Sequence, residues 1–262
     1  MQKPITIRKP KIEDEDDLNF WERYVQPVFA EFCGTLLYTF VACLSVTVNN
    51  LFAIGIVHGF GIAVLCTAFV KISGGHFNPA VTVASILCGG TRLIVGLIYL
   101  PVQFIGAILG SAFVKLVIHQ WGSYEEIHGG ASMLRGNRRI DAFNEYQKTS
   151  TWQFGIHSVI IIEIIVSMAI YLCYLLSNID DRQPIRAPLA YGMGVSAAVI
   201  ATYYTSGGGF NPAVSFAAAI CSGYWDDHYV YWAGPIVGCL LAALVYRVIL
   251  GDRRKRILGK VN

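Results

Sequence analysis

The stretch "ISGGHFNPAV" (Ile72–Val81) returns as "TSGGGFNPAV" (Thr205–Val214), with Asn78 and Asn211 133 positions apart (211 − 78). Longer matches surround both copies. Upstream, "AEFCGTLLYTF" places Glu31 47 residues before Asn78, and "IIEIIVSMAIY" places Glu163 48 residues before Asn211. Downstream, "YLPVQFIGAILGS" matches "YWAGPIVGCLLAA", with Gln103 and Pro235 lying 25 and 24 residues past their asparagines. The chain is therefore a tandem of two related halves.

The solvent of both halves follows from composition. Of 262 residues, 55% are hydrophobic and 14% charged, against about 25% charged in soluble domains. Six apolar stretches are long enough to cross a bilayer core, which takes about 20 residues: Tyr24–Thr47, Leu51–Val70, Leu93–Ile118, Phe154–Ser177, Ala187–Ser206 and Tyr229–Leu250. Each holds at most one charge, drawn from Glu31, Lys115, Glu163 and Arg247. The expectation is an all-α membrane protein with the lipid bilayer as its partner. A net charge of +3 gives no reason to expect nucleic acid.

Each half reads span, span, Asn-Pro-Ala box, span. Three spans per half is an odd number, so the second copy enters from the opposite face, an inverted-topology repeat. Repeat 1 covers about 24–118 and repeat 2 about 153–250, joined by a loop at 119–152. Residues 1–23 form a strongly charged tail (Glu13, Asp14, Glu15, Asp16, Asp17) without a signal peptide's apolar centre. Residues 251–262 form a basic tail (Arg253, Arg254, Lys255, Arg256, Lys260), which assigns both termini to the cytoplasm. Arg135, Arg138 and Arg139 in the middle loop run against that rule, beside Glu125, Glu126, Asp141 and Glu145.

The short apolar runs after each box, Val81–Leu87 and Val214–Ile220, are too short to span and read as re-entrant half-helices. Pro79 and Pro212 suit the first helical position, and Asn78 and Asn211 the cap before it. Ala80 and Ala213 complete the boxes. Half-helices entering from opposite faces would meet at the midplane, aiming their positive ends at one lumen. Irregular backbone at that depth must line a watery or protein-enclosed space.

Two Asn-Pro-Ala boxes in an inverted repeat identify the chain as similar to the aquaporin family, over about Tyr24–Leu250. The segments "WERYVQPVFAE", "GGHFNPAV" and "YWAGP" most resemble the aquaporin-8 branch, which is associated with water, ammonia and hydrogen peroxide. The resemblance implies six helices, two half-helices, a homotetramer with one pore per subunit and no cofactor. It also places a selectivity filter at His58, Val199, Gly208 and Val214. Val214 departs from the family pattern, which has Arg there; the set is similar to that of some plant tonoplast intrinsic proteins, associated with water, urea and peroxide. Losing Arg removes a fixed charge and five N–H donors, so small neutral polar solutes are expected to pass with water. Glycerol is disfavoured by Ser215, where the glycerol-conducting branch has Asp. A loop arginine swinging into the filter is the alternative source of the missing charge.

Other residues keep two readings each. Glu31 and Glu163 either support the re-entrant loops by accepting backbone N–H groups or carry protons in a coupled transporter. His58 lines the pore or is a core histidine. His76 is a structural loop residue or a pH-sensitive gate. Cys43 is a redox-sensitive thiol near the pore or, like the other six cysteines, a small buried hydrophobe. Gly34, Gly61, Gly106, Gly110, Gly192, Gly194 and Gly238 are read as close helix contacts, and Lys115 and Arg247 as snorkelling side chains. No metal-spaced ligand set or nucleophile–base pair is present, so neither a metal site nor an enzyme is expected. A closed structural membrane protein is the third reading.

Overall fold

The computed structural model describes residues 18–118, 124, 126–133, 155–180 and 187–258. Among these, eight α-helices carry the fold: α1 (Gln26–Ser45), α2 (Leu51–Ser73), α3 (Pro79–Leu87), α4 (Leu93–Val117), α5 (Ile156–Tyr174), α6 (Ala187–Thr202), α7 (Pro212–Ser222) and α8 (Val230–Val245). Single π-turns precede α1 (Trp21–Val25) and extend α5 (Leu175–Ile179) and α8 (Tyr246–Leu250). The first column thus begins before residue 24. Asn19 and Glu22 start it with a reciprocal capping box, each side chain accepting the other's backbone N–H at 3.1 Å.

Polarity runs inside-out. Glu31, Thr35, Thr39, Gln103, Ser111, Glu163 and Ser167 are fully buried, while Phe52, Leu116 and Met193 are 59–69% exposed. Only a hydrocarbon solvent stabilises that distribution. By length and composition, Trp21–Val48, Leu51–Ser73, Leu93–Val117, Ile156–Ile179 and Val230–Leu250 can cross a bilayer. The remaining span, α6, has 16 described residues, about 24 Å of rise.

The span expected to reach Ser206 stops at Thr202. Thr205, Ser206 and Gly207 turn their N–H groups back onto the Thr202 carbonyl, and Gly207 and Gly208 take φ of +77° and +73°. The chain is being redirected inward to deliver the second box. Gly207 is obligatory there, because a Cβ would lie 2.6 Å from the Met133 backbone nitrogen.

Helix pairing has two-fold pseudo-symmetry. Helix α1 packs on α4 as α5 packs on α8; α1 on α2 as α5 on α6; and α2 on α6 across the axis. Half-helix α3 rests on α8 of the other repeat, and half-helix α7 on α4. Neither half is complete without the other.

Close approach at the interfaces rests on small residues. A Cβ on Gly106 or Gly110 would sit 2.5 Å from the Phe32 carbonyl oxygen or 2.4 Å from that of Leu36. Gly59 and Gly192 touch reciprocally, each with a hypothetical Cβ within 2.4 Å of the other's carbonyl oxygen. One of the glycines read as contacts is not: a Cβ on Gly194 meets nothing within 4 Å, whereas on Gly61 it would touch the Tyr38 ring of α1 at an ordinary 3.9 Å. Gly194 faces open space, where a glycine's spacing in the sequence looks the same as at a contact.

Two further expectations change. Lys115 does not snorkel; its Nζ donates to the Cys221 carbonyl at 2.9 Å and lies 5.3 Å from the Tyr124 ring. That places a cation at the negative C-terminal end of α7. The seven cysteines are all unpaired, but Cys173 is exposed rather than buried.

Gly110→Ala should lower stability by about 1–3 kcal/mol or more, since backbone cannot yield to the new methyl. Gly194→Ala should raise it by about 0.5–1 kcal/mol by removing helix-interior glycine. Thermal unfolding of the two variants in detergent checks the opposite signs.

Candidate functional site: a conduit between two half-helices

Each half-helix begins the way its sequence dictates. Proline occupies the first turn, and the preceding asparagine caps it from an extended conformation. Asn78 Oδ1 accepts from Ala80 N at 2.9 Å; Asn211 Oδ1 accepts from Ala213 N at 3.1 Å. The amides then cross over. Asn78 Nδ2 donates to the Phe210 carbonyl at 2.9 Å, and Asn211 Nδ2 donates to the Phe77 carbonyl at 2.8 Å. The two positive helix ends therefore abut tip to tip. Each amide has two N–H groups, and both asparagines line one cavity.

Holding two helix ends nose to nose requires support from behind. In the first half Glu31, fully buried, accepts four hydrogen bonds. The donors are the backbone N–H of His76 (2.9 Å) and Phe77 (2.7 Å), Ser73 Oγ (2.6 Å) and Gln103 Nε2 (2.8 Å). These bonds hold Phe77 at φ +47°, a left-handed geometry that costs a non-glycine residue about 1–3 kcal/mol. The Phe77 ring is locked over Gly34, where a Cβ would come within 1.9 Å of it.

The second half is less complete. Glu163 Oε1 accepts from Gly209 N at 3.3 Å, and the Ser206 hydroxyl lies beside the carboxylate. Oε2 has no hydrogen-bond partner among the described residues. The repeat explains the difference, because the place of Gln103 is taken by Pro235, which has no side-chain donor. Tyr171 contributes instead by donating from its hydroxyl to the Phe210 carbonyl.

A cavity of about 50 Å³ runs from the paired asparagines along one side of the conduit, room for a few waters at about 10–15 Å³ each. His58, Val199, Gly208 and Val214 all line it, brought together from α2, α6, the loop before α7 and α7 itself. His58 also lies edge-on to Tyr38 at 6.2 Å. None of the described lining residues is Asp, Glu, Lys or Arg.

Two groups on this wall were not legible in the sequence. Gly130, Ala131 and Ser132 of the middle loop reach in from above, and Ser132 Oγ lies 3.0 Å from Ser215 Oγ. Tyr191 and Tyr203 of α6 and its turn add rings to the lining. A tyrosine in an apolar span carries no mark of the side it faces, and an irregular loop has no period to reveal where it folds. Arg135, Arg138 and Arg139 lie outside the described residues.

His76 and Cys43 sit away from that cavity's lining. His76 is buried, with Nδ1 3.0 Å from Thr82 Oγ1, Nε2 3.2 Å from Thr91 Oγ1, and the Tyr99 and Tyr174 rings edge-on to it. Cys43 is 1% exposed and packs beneath Gly130, whose hypothetical Cβ would lie 2.9 Å from the Cys43 Cα.

The two carboxylates should respond differently to neutralisation. Glu31→Gln turns one acceptor into a donor facing donors, and should cost about 2–4 kcal/mol by losing charge-assisted bonds and orphaning backbone N–H groups. Glu163→Gln should cost about 1 kcal/mol or less, because the atom replaced has no partner to lose. Unfolding midpoints of the two variants test this ordering.

Comparison with known proteins agrees with this geometry. The Major intrinsic protein family pattern matches residues 18–246. Aquaporin-8 of Mus musculus is 34% identical over 248 residues, covering 92% of this chain and 88% of that protein. Aquaporin TIP1-2 of Musa acuminata is 31% identical over 237 residues, covering 85% of each. In fold, the chain is similar to the aquaglyceroporin from Plasmodium falciparum, with a TM-score of 0.67 at 18% identity over 85% of this chain and 95% of that one. A chain with two abutting Asn-Pro-Ala half-helices, matched over nearly its whole length, belongs to the major intrinsic protein, or aquaporin, family of membrane channels for water and small solutes.

Proposed function

We propose that this channel passes water together with hydrogen peroxide, ammonia and urea, and excludes ions. The observation carrying the reading is the uncharged conduit wall at His58, Val199, Gly208 and Val214. With valine where an arginine guanidinium would otherwise stand, the narrow region loses its bulkiest donor and its fixed charge. His58 is then the principal side-chain partner for a passing solute. A neutral molecule of about water's polarity can shed its shell there, whereas an ion finds no compensating charge.

Ion and proton exclusion falls to the midplane. Two helix ends, each equivalent to roughly half a positive charge, and the amide N–H groups of the two asparagines repel cations and orient water oxygens inward. Four donors on Glu31 favour its reading as a support of the loop over that of a proton carrier. Four subunits, each with its own conduit, make up the assembly, and the basic tail at Arg253–Arg256 keeps both termini on the cytoplasmic side of a plasma or internal membrane.

Stopped-flow measurements on proteoliposomes test the solute assignment. Val214→Arg should cut urea and peroxide uptake by about tenfold or more relative to water, as a bulky fixed charge re-enters the narrow region. Equal solute-to-water ratios in the two proteins would overturn it.

A further inference from the structure

A second cavity, larger at about 370 Å³, includes Ser73, Gly74 and His76, just ahead of the first box, in its lining. Its wall also carries four cations, Arg23, Lys71, Arg92 and Lys255, against one carboxylate, Glu22. Several of these charges are held in position. Arg92 Nη2 donates to the Arg23 carbonyl at 3.0 Å, with its guanidinium 5.4 Å from the Tyr24 ring. Lys255 donates to the Ile179 carbonyl and lies 3.6 Å from Asp252. Glu22 is engaged in the capping box with Asn19. Lys71 is exposed at the end of α2, with no hydrogen bond or ion pair among the described residues. Ser85 and Thr91, their hydroxyls 2.7 Å apart, add polar groups to the same wall. Even with Asp252 counted beside Lys255, cations outnumber carboxylates by two to one.

The order of the spans puts all four cations on one face of the membrane. Arg23 stands at the start of the first span, Lys71 at the end of the second and Arg92 at the start of the third. Lys255 follows the sixth, beside the end of the fourth at Ile179. Phe20 and Trp21, 73% and 63% exposed at the same end, are side chains of the kind that sits at headgroup level. Basic flanks orient membrane proteins in general. Orientation, however, does not require the charges to converge on one concave wall, where they repel one another. An anion with several oxygens relieves that repulsion. A guanidinium meets phosphate oxygens with a planar fork of N–H groups, and a lysine adds a point charge. At more than seven times the volume beside the boxes, the cavity has room for a polyatomic anion. We propose that it is a binding site for a phosphomonoester group, carried on a lipid headgroup or on a soluble ester. Such a group bears about −1.5 to −2 charges at neutral pH, more than the single charge of a phosphodiester. The site lies on the channel's face rather than in its lumen, and it does not depend on which solutes pass.

The full chain in phosphatidylcholine nanodiscs tests this, with the thermal unfolding midpoint reporting bound ligand. At about 0.1 M salt the screening length is about 10 Å, which damps attraction to the surface at large. Phosphatidic acid, a monoester, should raise the midpoint saturably. Phosphatidylglycerol, a diester, should need at least about tenfold more for the same rise, as for the loss of one charge-assisted contact. Lys71→Gln should weaken phosphatidic acid binding by about tenfold for the same reason. Arg92→Lys, which keeps the charge but loses the fork, should weaken it several-fold. Lys71→Gln alters an exposed side chain, so the site stays testable even if Arg92→Lys disturbs the fold. Soluble glycerol phosphate separates the two sources of the ligand. A rise with phosphatidic acid alone would assign the site to lipid headgroups, and an equal rise with glycerol phosphate would assign it to a soluble ester. No rise with either monoester, equal binding of monoester and diester lipids, or unchanged binding in Lys71→Gln would overturn the proposal.

Discussion

The exchange of amide and carbonyl between Asn78–Phe210 and Asn211–Phe77 is the constraint on which the rest of the molecule depends. Two helix N-termini repel, and each exposes backbone N–H groups that hydrocarbon cannot satisfy. An asparagine is suited to both problems. Its oxygen caps its own helix while its nitrogen bonds the opposite chain, so one side chain closes a terminus and sets the distance between termini. Aspartate would lack the donor, and serine the reach and the second polar atom. The six long helices can then be understood as a clamp: α8 holds α3, α4 holds α7, and the glycine contacts between α1 and α4 bring the clamp close enough to keep the tips together.

The pseudo-symmetry is one of backbone more than of chemistry. Glu31 and Glu163 occupy matching places, yet the first is saturated by four donors and the second retains an unpartnered oxygen. His76, wedged between two hydroxyls and two tyrosine rings, has Gly209 as its counterpart. The first half thus carries the rigid, densely bonded box. The second carries the box beside Gly207 and Gly208 at positive φ, with loop residues 130–132 also lining the cavity. Rigidity on one side and adaptable lining on the other is a division that identical halves could not provide.

How far this was readable from sequence depended on whether a feature repeats. The membrane setting, the order of spans, the half-helix starts at Pro79 and Pro212 and the cap roles of Asn78 and Asn211 follow from periodicity, length and residue chemistry, and the structure has them where expected. Features without a period were hidden. The turn after Thr202 shortens a span whose composition continues apolar to Ser206. Gly194 looks like a contact glycine but faces open space, while Gly59, with no stronger signal, touches Gly192. Lys115 resembled a side chain seeking water at a span end, yet it caps α7, a partner 106 positions away. In each case the deciding fact is which way a residue points, and a helix that is apolar all round supplies no moment from which to read it.

That limitation bears on the filter position itself. Val214 stands three residues into its helix, directly after the Asn-Pro-Ala that fixes the tip, so its direction is set by the cap rather than by its own hydrophobicity. A side chain there must face the conduit whatever its chemistry, which makes the position a free variable in an otherwise determined frame. Beside Val214 the middle loop meets the second box twice: Ser132 Oγ lies 3.0 Å from Ser215 Oγ, and the Met133 backbone closes on Gly207. The middle loop thereby forms part of the same cavity wall as His58, Val199, Gly208 and Val214. A substitution at Val214 consequently acts on two things at once, the polarity of the wall and the seating of the loop that forms its upper part.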